Sequence, residues 1–447
     1  MSVLQLSVVS IWLIISTYFI PYSIIYKNLK SLKFITVALM LQNIMSLFAC
    51  NTLPRFVGSY IILYKEIILW GTVLWTILTK QKIRKSNISA ICFIMYLIFS
   101  MFRGNAAIYT KFVCFRQLMT PVILILYGRC LNISQDEKID FLHFIVKLGL
   151  FQAVFGFLEE FILGDKFWLS LNISKLFETK GFSRWVLSGM PGNYYSADFY
   201  SIIGKSIRRL VGISTDPLLT AHFMAFAVVI LLYLDNENKI KRNFEILILS
   251  IAIILTLSKG AILIMAIAFL YKVWIKNKKL AIFLCLFAIA GLTGLIQTNV
   301  LRTVSIHIDG LTSAAAELSI LGGGIGTSGN LAQLTGNSTT AGESFFGMIL
   351  GQLGLAGLLL FIWMIIRMTK LVFNKAKYIY VYAIVAYIIA VTIEAIVSES
   401  AINFVGSGVA FIALGLFSVT SGITIKENYK YEGKKHENRN SNISSRI

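Results

Sequence analysis

Long apolar runs alternate with short polar segments along almost the entire chain. An α-helix needs about 20 mostly apolar residues, with a range of about 17–25, to cross the hydrocarbon core of a bilayer. By that measure the pattern predicts membrane spans near residues 3–25, 34–52, 57–79, 88–103, 109–130, 141–163, 210–233, 244–257, 260–275, 280–298, 345–367, 379–397 and 403–423. The pair 244–257 and 260–275 is short for full crossings, and a tilted pair and a broken pair meeting at the outer surface both stay open.

Basic residues collect in alternate connections between these runs. Clusters of Lys and Arg lie at 26–33, 80–85, 235–242, 276–279 and 367–377, and in the tail from Lys426. Because such residues accumulate on the cytoplasmic side, this face is predicted to be cytoplasmic, with the N-terminus outside and the C-terminus inside. The connection 132–140 lies on the same face but carries little positive charge. The two longest loops, about 164–209 and 299–344, are then both extracytoplasmic.

Composition agrees with a membrane protein and argues against a soluble one. The 447 residues are 57% hydrophobic and 14% charged, whereas soluble domains are about 45–50% apolar and about 25% charged. The net charge of +20 sits in the connections, so we attribute it to topology and expect no nucleic-acid partner. We therefore predict an all-α polytopic membrane domain over residues 1–424, with about 12–14 transmembrane helices, and a polar, disordered cytoplasmic tail over 425–447.

The two large loops differ in composition. The first contains enough aromatic side chains either to form its own core or to stack on sugar rings: Trp168, Phe182, Trp185, Tyr194, Tyr195, Phe199 and Tyr200. The second is rich in glycine and small polar residues, with GGGIGTSGN at 322–330. No P-loop, HExxH motif or dense His/Cys cluster occurs, and neither a metal nor a cofactor is predicted.

Cations near the outer ends of the predicted spans are the first candidate site residues. Charged groups at membrane depth are costly and are therefore functional candidates. Guanidinium groups bind phosphate oxygens bidentately, so we predict that the cations bind an anionic substrate. The alternative is a structural ion pair, snorkelling or an ordinary interfacial lysine. The predicted substrate-binding residues are Arg116, Arg208, Arg209, Lys259 and Arg302.

Two acids are the predicted catalytic residues. Asp216 precedes Pro217 near the start of the run 210–233, where the proline predicts an irregular helix lining a polar cavity. Glu343 precedes the run 345–367, where it either stabilises a helix N-terminus or faces the substrate as a general base. Glu394, Glu399 and the pair Glu159-Glu160 are weaker candidates of the same kind, and His222 is interpreted as a helix-packing hydrogen bonder.

An ordered set of motifs resembles the Wzy-type O-antigen and capsular polysaccharide polymerases, which share a membrane fold with the O-antigen ligases. Arg209-x-x-Gly212 followed by Asp216-Pro217 is similar to an R-x-x-G…(E/D)-P segment of that family. The resemblance continues with Thr256-Leu257-Ser258-Lys259-Gly260-Ala261, with GGGIG at 322–326, with Glu343-Ser344-Phe345, and with Gly351-Gln352-Leu353-Gly354-Leu355-Ala356-Gly357. Lys259 replaces the family's arginine, and Leu218 replaces the serine or asparagine after its proline.

The resemblance implies a GT-C-like architecture and a polymerase of polysaccharide repeat units in O-antigen or capsule assembly. Such an enzyme transfers a growing glycan from undecaprenyl pyrophosphate to a sugar hydroxyl of another lipid-linked repeat unit. Glu343 stands where ligases tend to carry a histidine, which favours a polymerase. The implied setting is a bacterial cytoplasmic membrane, with the active site facing the periplasm or exterior and with membrane lipid and a chain-length regulator as partners. A ligase-type transferase and a flippase remain as alternatives.

Overall fold

The computed structural model describes residues 2–26, 29–79, 87–131, 133–181, 186–197, 200, 204–234, 238–286, 311–313, 315–316, 318–334, 343–374 and 379–419. Within those ranges the chain is mostly helical, and the strands are two short antiparallel pairs, Val186–Leu187 with Met190–Pro191 and Tyr195–Ser196 with Ile207–Arg208. The all-α prediction is confirmed in this coarse form. Arg302, the tail 425–447 and most of the predicted span 280–298 lie outside the described residues.

The helices that organise the fold follow the apolar runs closely. They are α1 (Ser2–Tyr26), α2 (Leu29–Met40), α3 (Gln42–Thr52), α4 (Arg55–Thr79), α5 (Ile88–Met101), α6 (Ile108–Leu131), α7 (Gln135–Leu158), α8 (Gly164–Ser170), α9 (Ile173–Thr179), α10 (Pro217–Tyr233), α11 (Lys239–Leu255), α12 (Lys259–Lys276), α13 (Asn330–Leu334), α14 (Phe345–Phe373), α15 (Ile379–Glu394) and α16 (Gly408–Phe417). A π-helical turn, Glu159–Leu163, joins α7 to α8.

Several helices have the dimensions of membrane spans. In the described part of the chain, the stretches Val3–Tyr26, Ile108–Leu131, Gln135–Ser170 and Phe345–Phe373 are long and apolar enough to cross a bilayer. Helices α2 and α3, which meet at a 54° bend, count as a fifth span when taken together. These helices are compatible with a multi-pass membrane protein, whereas the total of about 12–14 spans stays a prediction.

Polar contacts at one end of the helices join connections that the sequence places on the same side. Lys33 Nζ lies 2.6 Å from Asp140 Oδ2, and Lys138 Nζ donates to the carbonyl of Val419 at 2.8 Å. We call this end the basic face. The opposite end, made of the described residues 159–181, 186–197, 204–216, 256–258, 318–330 and 395–407, we call the loop face. Its assignment as the extracytoplasmic side stays a prediction.

The first large loop folds against the helices and forms a small core of its own. Trp168 and Tyr194 are fully buried, and their rings meet edge to face with centroids 5.7 Å apart. Together with Phe177 and Met190 they pack on Cys50 of α3. The aromatic side chains of this group therefore serve packing, while Tyr200 remains exposed.

The glycine-rich segment of the second loop inserts into a break in α14. Gly354 interrupts that helix with φ 69° and ψ −168°. The amides of Gly323 and Gly324 donate to the carbonyls of Gly351 and Gln352, at 2.8 and 2.9 Å. A Cβ on Gly322 would come within 2.4 Å of the Gly354 nitrogen, so this approach requires glycine. The two glycine-rich motifs of the sequence are thus in direct contact.

Helices α6 and α16 pack unusually closely because glycine lies on both sides of the contact. A Cβ added to Gly415 would lie 2.0 Å from the Ile125 carbonyl oxygen, and one added to Gly128 would lie 2.2 Å from that of Ile412. Small residues that let helix backbones approach are typical of helix contacts inside membranes. This contact fixes the position of α6, which carries Arg116 into the interior.

Candidate functional site

The segment before α10 is irregular backbone held by side chains. Helix α10 begins at Pro217, with Asp216 as its N-cap, so the expected irregular backbone lies before the proline. The missing N–H of Pro217 costs nothing at the first helical position. Asp216 Oδ1 accepts from the amides of Leu218 and Leu219 at 2.8 and 3.2 Å. Its other oxygen accepts from Asn193 Nδ2 at 3.1 Å. Three hydrogen bonds therefore hold the carboxylate in one orientation.

Buried side chains of α7 and α3 satisfy the polar groups of the same segment. Gln152 accepts from the Ile213 amide at 3.1 Å and donates to Ser214 Oγ at 2.6 Å. Asn43 donates to the Ser214 carbonyl at 2.8 Å. Because this segment is buried, such partners satisfy the polar groups that non-helical backbone leaves without helical hydrogen bonds. The Thr215 hydroxyl, by contrast, is buried without a hydrogen-bond partner among the described residues.

Two cations converge beneath this segment. Arg116 lies eight residues into α6, about 12 Å along the helix, and its Nε is 3.4 Å from Glu66 Oε2 of α4. Lys180 reaches in from the loop face and donates to Asn43 Oδ1 at 3.2 Å. Burial lowers the pKa of the Lys180 ammonium to about 8, with Asp216 acting against the shift and Arg116 reinforcing it. Lys180, Arg116 and Asp216 therefore share one electrostatic environment.

Arg209 extends this polar group along the loop face. Its Nε donates to the carbonyl of Thr256 at 2.8 Å and a terminal nitrogen donates to that of Leu257 at 3.1 Å, while the guanidinium also reaches the Asn193 carbonyl at 3.4 Å. Lys259, exposed, begins α12 directly after this turn. The predicted cations Arg209 and Lys259 are thus brought to the same turn, with Asn193 linking Arg209 to Asp216.

Arg208 points elsewhere. Its guanidinium forms ion pairs with Glu159 and Glu160 and, at 2.8 Å, with Asp165. Glu159 is fully buried and also accepts from Trp168 Nε1 at 2.7 Å. Three carboxylates surround this arginine, so its ion pairs hold the first loop in place. Arg208 is therefore not part of the group formed by Arg116, Lys180 and Asp216.

The acids near α14 form a second group, in which Glu399 contacts α6 through Gln117. Glu399, in the turn between α15 and α16, is 5% exposed; its oxygens accept from Gln117 Nε2 at 3.0 Å and from the Asn330 amide at 2.8 Å. Burial raises the pKa of the Glu399 carboxyl to about 7, and the charge of Glu343 acts in the same direction. Glu343 itself is exposed.

His222 packs three helices together below Asp216. Its Nε2 lies 2.9 Å from both oxygens of Glu394, and its Nδ1 is 2.6 Å from the Leu218 carbonyl. Because a carbonyl only accepts, Nδ1 carries a proton, and one further proton is shared between Nε2 and the carboxylate. A Cβ on Gly260 would come within 1.8 Å of Glu394 Oε1. The histidine thus makes the packing hydrogen bonds expected of it.

Sequence reasoning did not single out Glu66 and Lys180. Glu66 carries a signal that was available, since it is a charge inside the predicted span 57–79. Lys180 carries none, because it follows a short helix in a polar loop and only the folding of that loop brings it inward. Among the described residues, no group of three or more His, Cys, Asp or Glu side chains could hold a metal ion.

The chain matches no protein-family model, and no curated protein is significantly similar to it in sequence. What the chain does must therefore be inferred from the array of charges at the loop face.

Proposed function

We propose that this chain is a membrane glycosyltransferase that polymerises lipid-linked repeat units. It transfers a growing glycan from undecaprenyl pyrophosphate to a sugar hydroxyl of a second lipid-linked unit, in O-antigen or capsule assembly. The loop face then lies on the periplasmic or outer side of the bacterial cytoplasmic membrane. The observation that carries the proposal is the pairing of two recessed cations, Arg116 and Lys180, with the oriented carboxylate of Asp216.

The cations suit a lipid diphosphate. The diphosphate carries several negative charges, and the cations Arg116 and Lys180 can bind its oxygens together. Glu66 holds the Arg116 guanidinium at 3.4 Å, which leaves donors of its planar fork for phosphate oxygens. As the glycosidic bond to phosphate breaks, negative charge develops on the leaving diphosphate. Arg116 and Lys180 offset that charge in a site where little water screens it.

The role of Asp216 follows from its hydrogen bonds. Three accepted hydrogen bonds, from the amides of Leu218 and Leu219 and from Asn193, fix the orientation of its carboxylate. We therefore assign to Asp216 the orientation of the acceptor sugar, through its remaining lone pairs. Arg209 positions the turn 256–258, and with it Lys259, at the entrance to the site. We assign Glu343 to the side of the site that binds the acceptor sugar.

The motifs that carry the family resemblance also support the proposal by their contacts. The glycine-rich segment 322–326 pairs with Gly351 and Gln352 of α14, and Arg209 pairs with the turn 256–257. In each pair, segments far apart in sequence are in direct contact. Glycan transfer requires such a composite site, because donor and acceptor approach from different sides.

The experiment is polymer formation by the purified chain in liposomes supplied with lipid-linked repeat units. The wild-type protein is expected to yield a ladder of products, and Lys180→Gln and Arg116→Gln are expected to shorten it or abolish it. Lys205→Gln is the matched control, since Lys205 is an exposed lysine of the same loop. Movement of repeat units across the bilayer without any new glycosidic bond would instead identify a flippase and overturn the proposal.

A further inference from the structure

Glu399 is a buried carboxylate with an unusual set of neighbours. Among the residues that the structure describes it forms no ion pair, although it is 5% exposed. Buried carboxylates normally have a cationic partner, because an unpaired buried charge is costly. The hydrogen bonds from Gln117 and the Asn330 amide fix the orientation of the carboxylate. Its burial makes it easier to protonate than an exposed carboxylate.

Gln117 connects Glu399 with the proposed donor site. It follows Arg116 on α6, so the two side chains leave the helix about 100° apart. The charges of Arg116 and Glu399 both reach the Cys114 thiol, one turn nearer the loop face. Arg116 and Glu399 therefore flank the same stretch of α6, one on the side of the diphosphate cations and one beneath the glycine-rich loop.

The amide of Gln117 has spare capacity for a ligand. Its nitrogen donates to Glu399, but its oxygen Oε1 is buried and accepts no hydrogen bond from any described residue. A sugar presents several hydroxyl groups at once. One such hydroxyl can donate to Gln117 Oε1 while its neighbour on the same ring faces the carboxylate.

We propose that Glu399 is the general base of the glycan transfer and that Gln117 and Glu399 together bind the acceptor sugar. The inference rests on the proposed function and names the residue that activates the acceptor. Glu343 then acts as a positioning residue, whose charge sets how readily Glu399 takes up a proton. A carboxylate is well matched to this task when its proton affinity is close to the working pH.

In the transfer, Glu399 accepts a proton and the lipid diphosphate leaves with an electron pair. The proton of the acceptor hydroxyl passes to a Glu399 oxygen as the hydroxyl oxygen forms its bond to the anomeric carbon of the donor glycan. The bond between that carbon and the phosphate oxygen breaks, and its electron pair leaves with the lipid diphosphate beside Arg116 and Lys180. Glu399 then releases the proton to solvent, and the site is restored.

The pH dependence follows from the groups that face Glu399. Among the described residues, the titratable groups that interact with Glu399 are Cys114 of α6 and Glu343 before α14; the described part of the glycine-rich loop, 318–334, has no titratable side chain. With a pKa of about 7, Glu399 is active as a base only when ionised. Turnover should therefore rise as the pH increases through 7. Removing the Glu343 charge should move this rise to lower pH.

Glu399→Gln and Glu343→Gln, assayed for polymer formation from lipid-linked repeat units between pH 5.5 and 8.5 (values chosen to bracket about 7), test the inference. For Glu399→Gln we expect turnover to fall by about 10²–10⁴-fold, with donor binding unchanged and no rise through neutral pH. For Glu343→Gln we expect the inflection to lie at lower pH, because the charge that raises the pKa of Glu399 is removed. Lys180→Gln should show the opposite pattern, weakened donor binding with the inflection unchanged.

The wild type and the variants together distinguish a failure of the proposed glycan transfer from a failure of Glu399 as its general base. Absence of polymer with the wild-type protein refutes glycan transfer and this inference together. Polymer from both wild-type and Glu399→Gln with the same pH profile refutes the inference alone. If Glu399→Gln lowers the melting temperature, the test of Glu399 as the base is the pH profile of Glu343→Gln, because the Glu343 side chain is exposed. If turnover of Glu343→Gln rises at the same pH as in the wild type, the assignment of Glu399 is overturned.

Discussion

Gly415→Ala tests whether the close contact of α6 with α16 holds the fold and the site together. The new Cβ would lie 2.0 Å from the Ile125 carbonyl oxygen, 2.9 Å from its carbon and 3.1 Å from the Arg129 nitrogen. Cβ atoms in real proteins essentially never come closer than 3.0 Å to another atom. The helices must therefore separate by about 1 Å, because backbone atoms cannot rotate away as a side chain can.

The expected loss of stability is large for a single methyl group. Overpacking of a tight core costs about 1–3 kcal/mol, and contact with backbone places this case at about 3 kcal/mol. Alanine is better than glycine in a helix interior by about 1 kcal/mol. The net expectation is a decrease of about 2 kcal/mol in the free energy of unfolding, with lower polymer formation because α6 carries Arg116 and Gln117.

The assay is unfolding of the purified protein in mixed micelles, followed by tryptophan fluorescence. The matched control is Gly71→Ala in α4, where a Cβ meets nothing within 4 Å, so that variant should be as stable as the wild type or up to about 1 kcal/mol more stable. Gly128→Ala combined with Gly415→Ala should cost less than the sum of the two, because one separation relieves both contacts. Equal stability of Gly415→Ala and Gly71→Ala would refute the reasoning.

Three further predictions follow from the contacts of Gly260, Lys180 and Arg208. Gly260→Ala should displace Glu394 from His222, and loss of these charge-assisted hydrogen bonds should lower the free energy of unfolding by about 2 kcal/mol; wild-type melting would contradict it. The Lys180 ammonium, with a pKa of about 8, loses its charge as the pH rises through 8, so affinity for a lipid diphosphate should fall above that pH in the wild type and stay flat in Lys180→Gln, as measured by titration. Arg208→Gln should destabilise by about 3 kcal/mol and expose the first loop to proteolysis, because the Glu159 charge stays buried without its partner; Lys205→Gln should leave both measurements unchanged.

The apolar pattern predicted helices well where each helix is continuous. Helix α1 spans Ser2–Tyr26 where the pattern predicts 3–25, and α6 spans Ile108–Leu131 where it predicts 109–130. The prediction was less exact at the run 210–233, whose helix begins only at Pro217. Hydropathy counts apolar residues and does not register that side chains from α3 and α7 hold the residues before Pro217 in an irregular conformation.

The sequence also identified some residues of the candidate site correctly and left the contacts of others undecided. Arg116 and Asp216 were recognised from the sequence because a charge in an apolar run, or beside an intramembrane proline, is conspicuous. Arg208 was equally conspicuous, yet three carboxylates surround it. Sequence position does not tell which of two adjacent arginines faces the interior and which faces the loop, since that depends on the path of the strand Ile207–Arg208.

The sequence by itself thus determined the helical, membrane-compatible class of the chain and the charges that its interior must accommodate, because both depend on the local balance of apolar and polar residues. The tertiary structure decided which charges meet. Lys180 reaches Asn43, and Glu399 reaches Gln117, across 137 and 282 residues of chain. Such contacts arise only when whole helices pack, so no local pattern could have shown that the buried carboxylate of Glu399 and the guanidinium of Arg116 flank the same stretch of α6.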